Sequence, residues 1–364
     1  MRIAELDTPA LLIDLDIMER NLARVAGYAR EHGLRLRPHT KTHKIPALGR
    51  KQLESGAVGL TVAKVSEAEV MIGSGAPDLL VAYPILGERK LARLMAAARE
   101  TRVSVALDSA FAAQGLSEAA RGAGLTTGVL AEVDVGLGRV GVNPGSELIA
   151  LIREIERLPG LRFDGIAFYP GHIKLLDEQG LEAIERLSEL LRSLLEDLRR
   201  AGIEAPIVSG GSTPALFHSH RIAGLTEIRP GTYIFNDRNT VASGACGYAD
   251  CAASILATVV STARPGQIII DGGSKTFSSD RLITAPDSGF GYLPEAPEAV
   301  FTRMNEEHGF IDVSRSGRRF ATGDRVQVIP NHICTAVNLH EAVYGVRGET
   351  VETVWTVAGR GKLQ

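Results

Sequence analysis

The sequence predicts a (β/α)8 TIM-like barrel followed by an all-β C-terminal domain. Two observations carry that prediction. Eight short β-type runs alternate with eight amphipathic stretches, and helical periodicity is lost after about residue 245. Strands alternating with helices pair in parallel through crossovers, and eight such units suit a closed barrel better than an open sheet.

The strand-like runs lie at 34–38 (LRLRP), 58–62 (VGLTV), 79–82 (LLVA), 103–107 (VSVAL), 128–133 (GVLAEV), 163–168 (FDGIAF), 206–208 (PIV) and 226–229 (TEIR). The amphipathic stretches span 17–31, 44–54, 65–74, 87–99, 110–123, 145–158, 177–201 and, more briefly, 214–222. Within 177–201, leucines at 187, 190, 191, 194, 195 and 198 repeat with a period near 3.6, so one helix face is buried. Further on, β-type runs at 253–261, 267–271, 308–313, 325–330, 342–346 and 350–357 are punctuated by Gly, Pro and Asp. The opening segment contains ALLIDL, which is also strand-like. The organisation expected is a strand segment at 1–15 pairing with the C-terminal domain, a barrel at 16–243 and a β-domain at 244–364.

Composition excludes several classes. The 364 residues carry 40 basic and 43 acidic side chains, and a net charge of −3 disfavours sequence-independent binding to nucleic acid. Hydrophobic residues make up 45%, enough for a large core without a disulfide or structural metal. No apolar run approaches the roughly 18 residues that span a bilayer. The N-terminus carries acids inside its apolar stretch and lacks a small-residue cleavage site, so no signal peptide is expected. Cys246, Cys251 and Cys334 are too few and odd in number for a disulfide framework and fit a reducing cytoplasm. The expectation is a cytoplasmic enzyme with neither nucleic-acid nor membrane partners.

A barrel places its active site at the C-terminal ends of its strands. Those ends read RPHTKTHK (37–44), AKVSE (63–67), AYP (82–84), Asp108, DVGLGRVG (134–141), FYPGH (168–172), SGGSTP (209–214) and RPGTY (229–233). The SGGSTP loop follows strand seven, where barrels commonly bind phosphate. Its glycines let backbone N–H groups approach an anion, Ser212 and Thr213 add hydroxyls, and a helix N-terminus is expected at Pro214. The plainer alternative is a Gly-rich turn with a Ser/Thr cap. Tyr233 of RPGTY would bring its hydroxyl to the same phosphate.

In RPHTKTHK, Lys41 is flanked by His39, His43 and Lys44. Cationic neighbours and burial favour a neutral, nucleophilic amine. A nucleophilic lysine and a phosphate site in one mouth suggest pyridoxal phosphate held as a Schiff base. A solvated basic loop and a metal site at His39 and His43 are the alternatives. DVGLGRVG matches a dinucleotide glycine pattern, but Asn143 and Pro144 stand where the helix should open. Its Arg139 points from a flexible loop towards the mouth, with a rim salt bridge to Asp134 as the alternative. Tyr169 and His172 end strand six, where a histidine serves as acid or base. In PNHICTA, His332 and Cys334 are two apart on an expected strand and so face the same way, as a zinc-type ligand pair would. A buried cysteine beside a hydrogen-bonded histidine is the plainer reading.

These motifs together resemble the fold-type III pyridoxal phosphate enzymes, which pair an alanine racemase-like barrel with a β-domain. Within that group the chain is similar to the D-threonine aldolase and D-serine dehydratase family. The similarity runs over nearly the whole chain, from TPALLIDLDIMERNL through DGGSKTFSSD to PNHICTAVNL. It implies that Lys41 is the Schiff-base lysine and that Gly211, Ser212, Thr213 and Tyr233 hold the phosphate. It implies that Arg139 and Tyr169 lie against the pyridoxal ring. It implies that His332 and Cys334 bind a divalent metal (Mn, Mg or Zn) near the substrate hydroxyl.

The resemblance points two ways on the reaction. YPGH is similar to the aldolases, in which the histidine acts on the β-hydroxyl. His-x-Cys is similar to the D-serine dehydratases. The main expectation is a metal-activated D-3-hydroxy amino acid aldolase with Lys41 and His172 as catalytic residues. The alternative is a dehydratase of D-serine or D-3-hydroxyaspartate type, giving a 2-oxo acid and ammonia. A non-catalytic pyridoxal phosphate carrier is the third reading. The family also implies a homodimer acting on a small-molecule substrate.

Overall fold

The computed structural model describes residues Met1–Gln364. They form two compact units. One comprises Arg24–Gly231 with Gly361–Gln364, and the other Met1–Ala23 with Thr232–Arg360. The N-terminal strand β1 (Ala10–Asp14) belongs to the latter, and α1 (Leu15–Glu31) runs across the division.

The first unit is the barrel. Its strands are β2 (Arg35–Leu36), β3 (Leu60–Val62), β4 (Asp78–Val81), β5 (Arg102–Leu107), β6 (Thr127–Glu132), β7 (Leu161–Ala167), β8 (Ile207–Gly210) and β9 (Glu227–Ile228). Each falls within or overlaps one of the eight expected runs. The sheet order is β2-β9-β8-β7-β6-β5-β4-β3 and every pairing is parallel. The ends of that order meet where Val58 N–H donates to Leu36 O and Thr61 N–H to Pro38 O.

Between strands run α2 (Pro46–Glu54), α3 (Val65–Met71), α4 (Glu88–Ala97), α5 (Ala110–Ala123), α6 (Ser146–Arg157) and α7 (Glu178–Arg200). Their ends follow local chemistry. The Ser109 side chain caps α5 by accepting from Ala112 N–H, and Gly124, at φ +68°, closes it in the left-handed region only glycine adopts cheaply. Asp177 caps α7, which buries Leu187, Leu191, Leu194 and Leu198 as the leucine period predicts. Burying each such side chain contributes about 1.5–3 kcal/mol. The helix expected after β8 is reduced to a six-residue 3-10 stretch, Leu216–Arg221.

Charge fills part of the barrel interior. Arg37 pairs with Glu227 and Asp78 at 2.9 Å each, and Ser209 Oγ donates to Glu227 at 2.6 Å. A side chain at Gly59 would collide with the Arg37 guanidinium, and one at Gly128 with the Asp164 carboxylate, so both glycines make room for buried charge.

The second unit is mainly β. Its further strands are β10 (Ala253–Ser261), β11 (Gln267–Ile270), β12 (Gly291–Tyr292), β13 (Val300–Met304), β14 (Gly309–Asp312), β15 (Arg325–Pro330), β16 (Ala342–Arg347) and β17 (Thr350–Thr356). They form a nine-stranded sheet with the path β13-β14-β11-β10-β1-β16-β17; β15 branches off β10, and β12 pairs with β15. The strand β1 is antiparallel to β10 and parallel to β16, over a core of Ile3, Leu6, Ala10, Leu12, Leu256 and Val346.

Two features depart from the all-β expectation. The strands β12 and β13 fall outside the expected runs, and beyond α8 (Arg238–Ala242), which precedes residue 244, two short helices appear: α9 (Ser274–Phe277) and α10 (Ile333–Leu339). The strand expected to hold His332 and Cys334 ends at Pro330. His332 is instead the N-cap of α10, and Cys334 lies in its first turn. Helix wins because Ile333, Ala336 and Val337 form one buried face at helical spacing, and Asp237 Oδ2 takes the Ile333 N–H at 3.0 Å.

Candidate active site

The barrel mouth is built around the strand ending in RPHTKTHK. Its pairing continues past β2, with His39 N–H donating to Pro230 O, so Lys41 emerges on a single 3-10 turn, Thr40–Thr42. Lys41 is exposed, and its N–H donates to His39 Nδ1. The cationic neighbourhood expected from the local sequence is not what the fold builds. His43 is fully buried, with Nδ1 accepting from Ile45 N–H and Nε2 against Gln52, and burial pushes it down to about 4. Both of its ring nitrogens are thus occupied, which removes the His39–His43 metal alternative. Lys44 is buried and paired with Glu67 at 3.2 Å. The positive field comes from further along the chain: burial, with the charges of Lys41, Arg229 and Arg139, holds His39 well below the usual histidine value.

The DVGLGRVG loop wraps one carboxylate. Asp134 accepts N–H bonds from Gly136, Leu137 and Gly138 at 3.0–3.1 Å. Burial opposes the Asp134 charge, but these bonds outweigh it and lower its pKa. Gly136, Gly138 and Gly141 all have positive φ, so the glycines serve this turn rather than a dinucleotide. Arg139 does not pair with Asp134; its guanidinium stacks 4.7 Å from the centre of the Tyr169 ring. The exposed His172 ring packs on the face of Gly136, where a Cβ would come within 3.5 Å of it.

In SGGSTP, Gly211 has φ +94°, and Ser212 and Thr213 are buried. A side chain at Gly210 would collide with the Phe168 ring. The helix expected at Pro214 begins only at Leu216, and Ser212 Oγ accepts a long 3.4 Å bond from Ala215 N–H. Sequence reasoning missed Arg229, which is buried behind this loop and donates to Ser209 Oγ at 2.6 Å and Phe168 O at 3.0 Å. It also missed Glu132, raised by burial against the charges of Arg229 and Arg139. The only sequence signal for either is a charge inside or at the end of an apolar barrel strand.

The remaining expected residues belong to the other unit. Tyr233 is buried in the 3-10 turn Thr232–Ile234. His332 and Cys334 lie within hydrogen-bond reach of one another through their side chains, and Thr232 Oγ1 is 3.8 Å from the Cys334 sulfur. His332 Nδ1 is 2.9 Å from Asp280 Oδ2. Burial disfavours the imidazolium, but bonds to Asp280 and Cys334, with the Asp237 charge, push His332 up to about 11. Asp237 is itself buried, and burial raises it despite its bonds to Thr240 and Ile333.

Residues 13–239 match the alanine racemase N-terminal domain family, and 252–346 the putative serine dehydratase domain. The chain belongs to this family. A D-threonine aldolase from an Arthrobacter species is 32% identical over 99% of this chain and 94% of the relative. A D-threo-3-hydroxyaspartate dehydratase from Delftia sp. strain HT23 is 35% identical over 90% and 91% of the two chains. The crystal structure of D-threonine aldolase from Filomicrobium marinum superposes with a TM-score of 0.94 at 32% identity, covering 100% of this chain and 98% of that one. Solved variants of a D-threo-3-hydroxyaspartate dehydratase replace a histidine and a cysteine two residues apart, the cysteine variant in a metal-free form.

These relatives are lyases, and the fold with these relatives implies pyridoxal 5'-phosphate and a divalent metal. The residues fit both groups. The mouth offers an exposed amine, a positive-φ glycine and two buried hydroxyls beside a stacked Arg–Tyr face. An imidazole and a thiol between two carboxylates favour positive charge, which a divalent cation supplies once the ligand protons leave. No helix is long and apolar enough to cross a membrane.

Proposed function

We propose that this protein is a pyridoxal phosphate- and divalent metal-dependent D-3-hydroxy amino acid aldolase, cleaving Cα–Cβ to give glycine and an aldehyde. The observation that carries the reading is His172, exposed at the barrel mouth against Gly136 of the loop bearing Arg139. Retro-aldol cleavage requires a base for the β-hydroxyl proton, and a mouth histidine is suited to take it.

In this reading 16–243 binds the cofactor, and 244–364 with the strand segment 1–15 carries the metal pair. Lys41 holds the cofactor covalently between turnovers. Gly211, Ser212 and Thr213 bind its phosphate through backbone N–H and hydroxyl donors; Tyr233 is assigned to the same phosphate by family resemblance. Arg139 and Tyr169 orient the ring. His332 and Cys334 hold the metal (Mn, Mg or Zn). When bound, pyridoxal phosphate supplies an electron sink at Cα and the metal supplies Lewis acidity. The enzyme is read as cytoplasmic, in keeping with three unbridged cysteines, and as a homodimer, which is what the family resemblance implies.

One observation favours a second reading, β-elimination to a 2-oxo acid and ammonia with Lys41 as the Cα base. The His332-x-Cys334 spacing matches that of the residues replaced in the solved dehydratase variants. A product assay separates the two. With D-threonine and Mn2+, the aldolase yields acetaldehyde and glycine in equal amounts; 2-oxobutyrate and ammonia without acetaldehyde would overturn it.

A further inference from the structure

The His332 ring is held by a carboxylate 52 residues away in sequence, and that carboxylate is itself anchored on every side. Asp280 Oδ2 takes the Thr335 hydroxyl proton at 2.7 Å as well as facing His332 Nδ1 at 2.9 Å. The Asp280 carbonyl accepts from Asn331 Nδ2 at 3.0 Å, and its N–H donates to Ser278 Oγ at 3.2 Å. Asn331 is fastened in turn by its Nδ2 to Gly289 O at 2.9 Å and by Arg238 donating to its Oδ1 at 3.2 Å. Ser278 has φ +66°, so the loop holds a strained conformation where it delivers Asp280.

An ionised carboxylate only accepts hydrogen bonds, so His332 Nδ1 must carry the proton in this pair. The neutral ring then has its lone pair on Nε2. We propose that Asp280 is the positioning residue of the metal site: fixed by Thr335 and Asn331, it fixes the tautomer and orientation of His332 so that Nε2 faces the ion. The proposal rests on assigning the metal to His332 and Cys334. A carboxylate on Nδ1 lies on the far side of the ring from Nε2, so Asp280 acts through His332 and does not ligate. Such partners of metal-bound histidines contribute to affinity by limiting the ring orientations lost on binding and by raising ligand basicity.

The test is Mn2+ binding to the full-length protein, read as free Mn2+ by electron paramagnetic resonance, together with 15N spectra of the histidine rings in the metal-free protein. D280A is expected to bind Mn2+ roughly 10- to 100-fold more weakly at unchanged stoichiometry. Its metal-free melting temperature should fall by only a few degrees, because the Asp280 side chain is 40% exposed. In wild type the His332 Nδ1–H should be held on Asp280 and slow to exchange; in D280A it should exchange with solvent. D280N keeps the shape and an acceptor oxygen, and its affinity should fall between the two. T335S should retain wild-type affinity and T335V should lose part of it. Affinity of D280A within about twofold of wild type, with an unchanged ring spectrum, would overturn the proposal. So would a loss as complete as that of H332A, which would make Asp280 a ligand. If H332A itself binds Mn2+ like wild type, the metal assignment fails instead, whatever Asp280 does.

Discussion

The guanidinium of Arg139 lies 4.7 Å from the centre of the Tyr169 ring, while Asp134, five residues before Arg139 and the nearest acid in its loop, is occupied by three backbone N–H groups. The loop thus leaves Arg139 to the aromatic face, a cation–π contact of about 0.5–2 kcal/mol. R139A and Y169A are each expected to weaken pyridoxal phosphate binding roughly 2- to 30-fold, and Y169F to leave it unchanged. Fluorescence titration of the apo-protein measures this. Wild-type affinity in R139A would remove the stack from the cofactor site.

Lys41 stands alone as the exposed amine on the Thr40–Thr42 turn, since the neighbouring Lys44 is buried against Glu67. Borohydride reduction of the holo-protein should attach a phosphopyridoxyl group to Lys41, found by peptide mass spectrometry. K41A should lose both the label and the visible absorbance of lysine-bound cofactor, and K44A should keep both. Label on any other lysine contradicts the assignment.

His172 touches Gly136 and lies at the mouth, so its loss should strike the chemistry and not the cofactor. H172A is expected to lower kcat for cleavage roughly 10^2- to 10^4-fold while cofactor absorbance stays at the wild-type level. Unimpaired turnover would pass the β-hydroxyl proton to another group.

His43 ties stability to pH. In the folded barrel its imidazole stays neutral down to about 4, whereas in the unfolded chain it protonates near 6.5. Between those values the unfolded state binds more protons, so stability is present above 6.5 and falls as pH drops towards 4. The full effect is about 3 kcal/mol, and His39, also depressed, adds with the same sign. H43N can still accept from Ile45 N–H but cannot titrate. Urea unfolding from pH 6.5 to 4 should show a shallower slope for H43N, by about 1.4 kcal/mol per pH unit. An identical slope would mean that His43 is not held neutral.

Much of the barrel was legible in the residue pattern. Each strand and helix repeats its apolar residues at its own period, and that period is a local property. The rule that barrel function gathers at strand ends then singled out Lys41, Arg139, Tyr169, His172 and the Gly211–Thr213 loop without coordinates. The pattern failed in PNHICTAVNL. Ile333, Ala336 and Val337 carry the helical spacing, but over seven residues a β-rich context outweighs it. Helix is decided there by Asp237, nearly a hundred residues earlier, which takes the Ile333 N–H.

The sequence by itself therefore determined the fold class, the order of the barrel strands and the strand-end loops proposed to bear the chemistry. Only the tertiary structure decided the charge and orientation of the groups in those loops. RPHTKTHK reads as a run of cations, yet folding buries and neutralises His43, pairs Lys44 with Glu67 and brings Arg139 and Arg229 to His39. His332-x-Cys334 reads as a pair on a strand, yet its geometry is set by Asp280 and Asp237 from distant segments. The physical reason is common to both. Periodicity depends on neighbours along the chain, whereas proton affinity and side-chain direction depend on desolvation and on partners that only folding brings near.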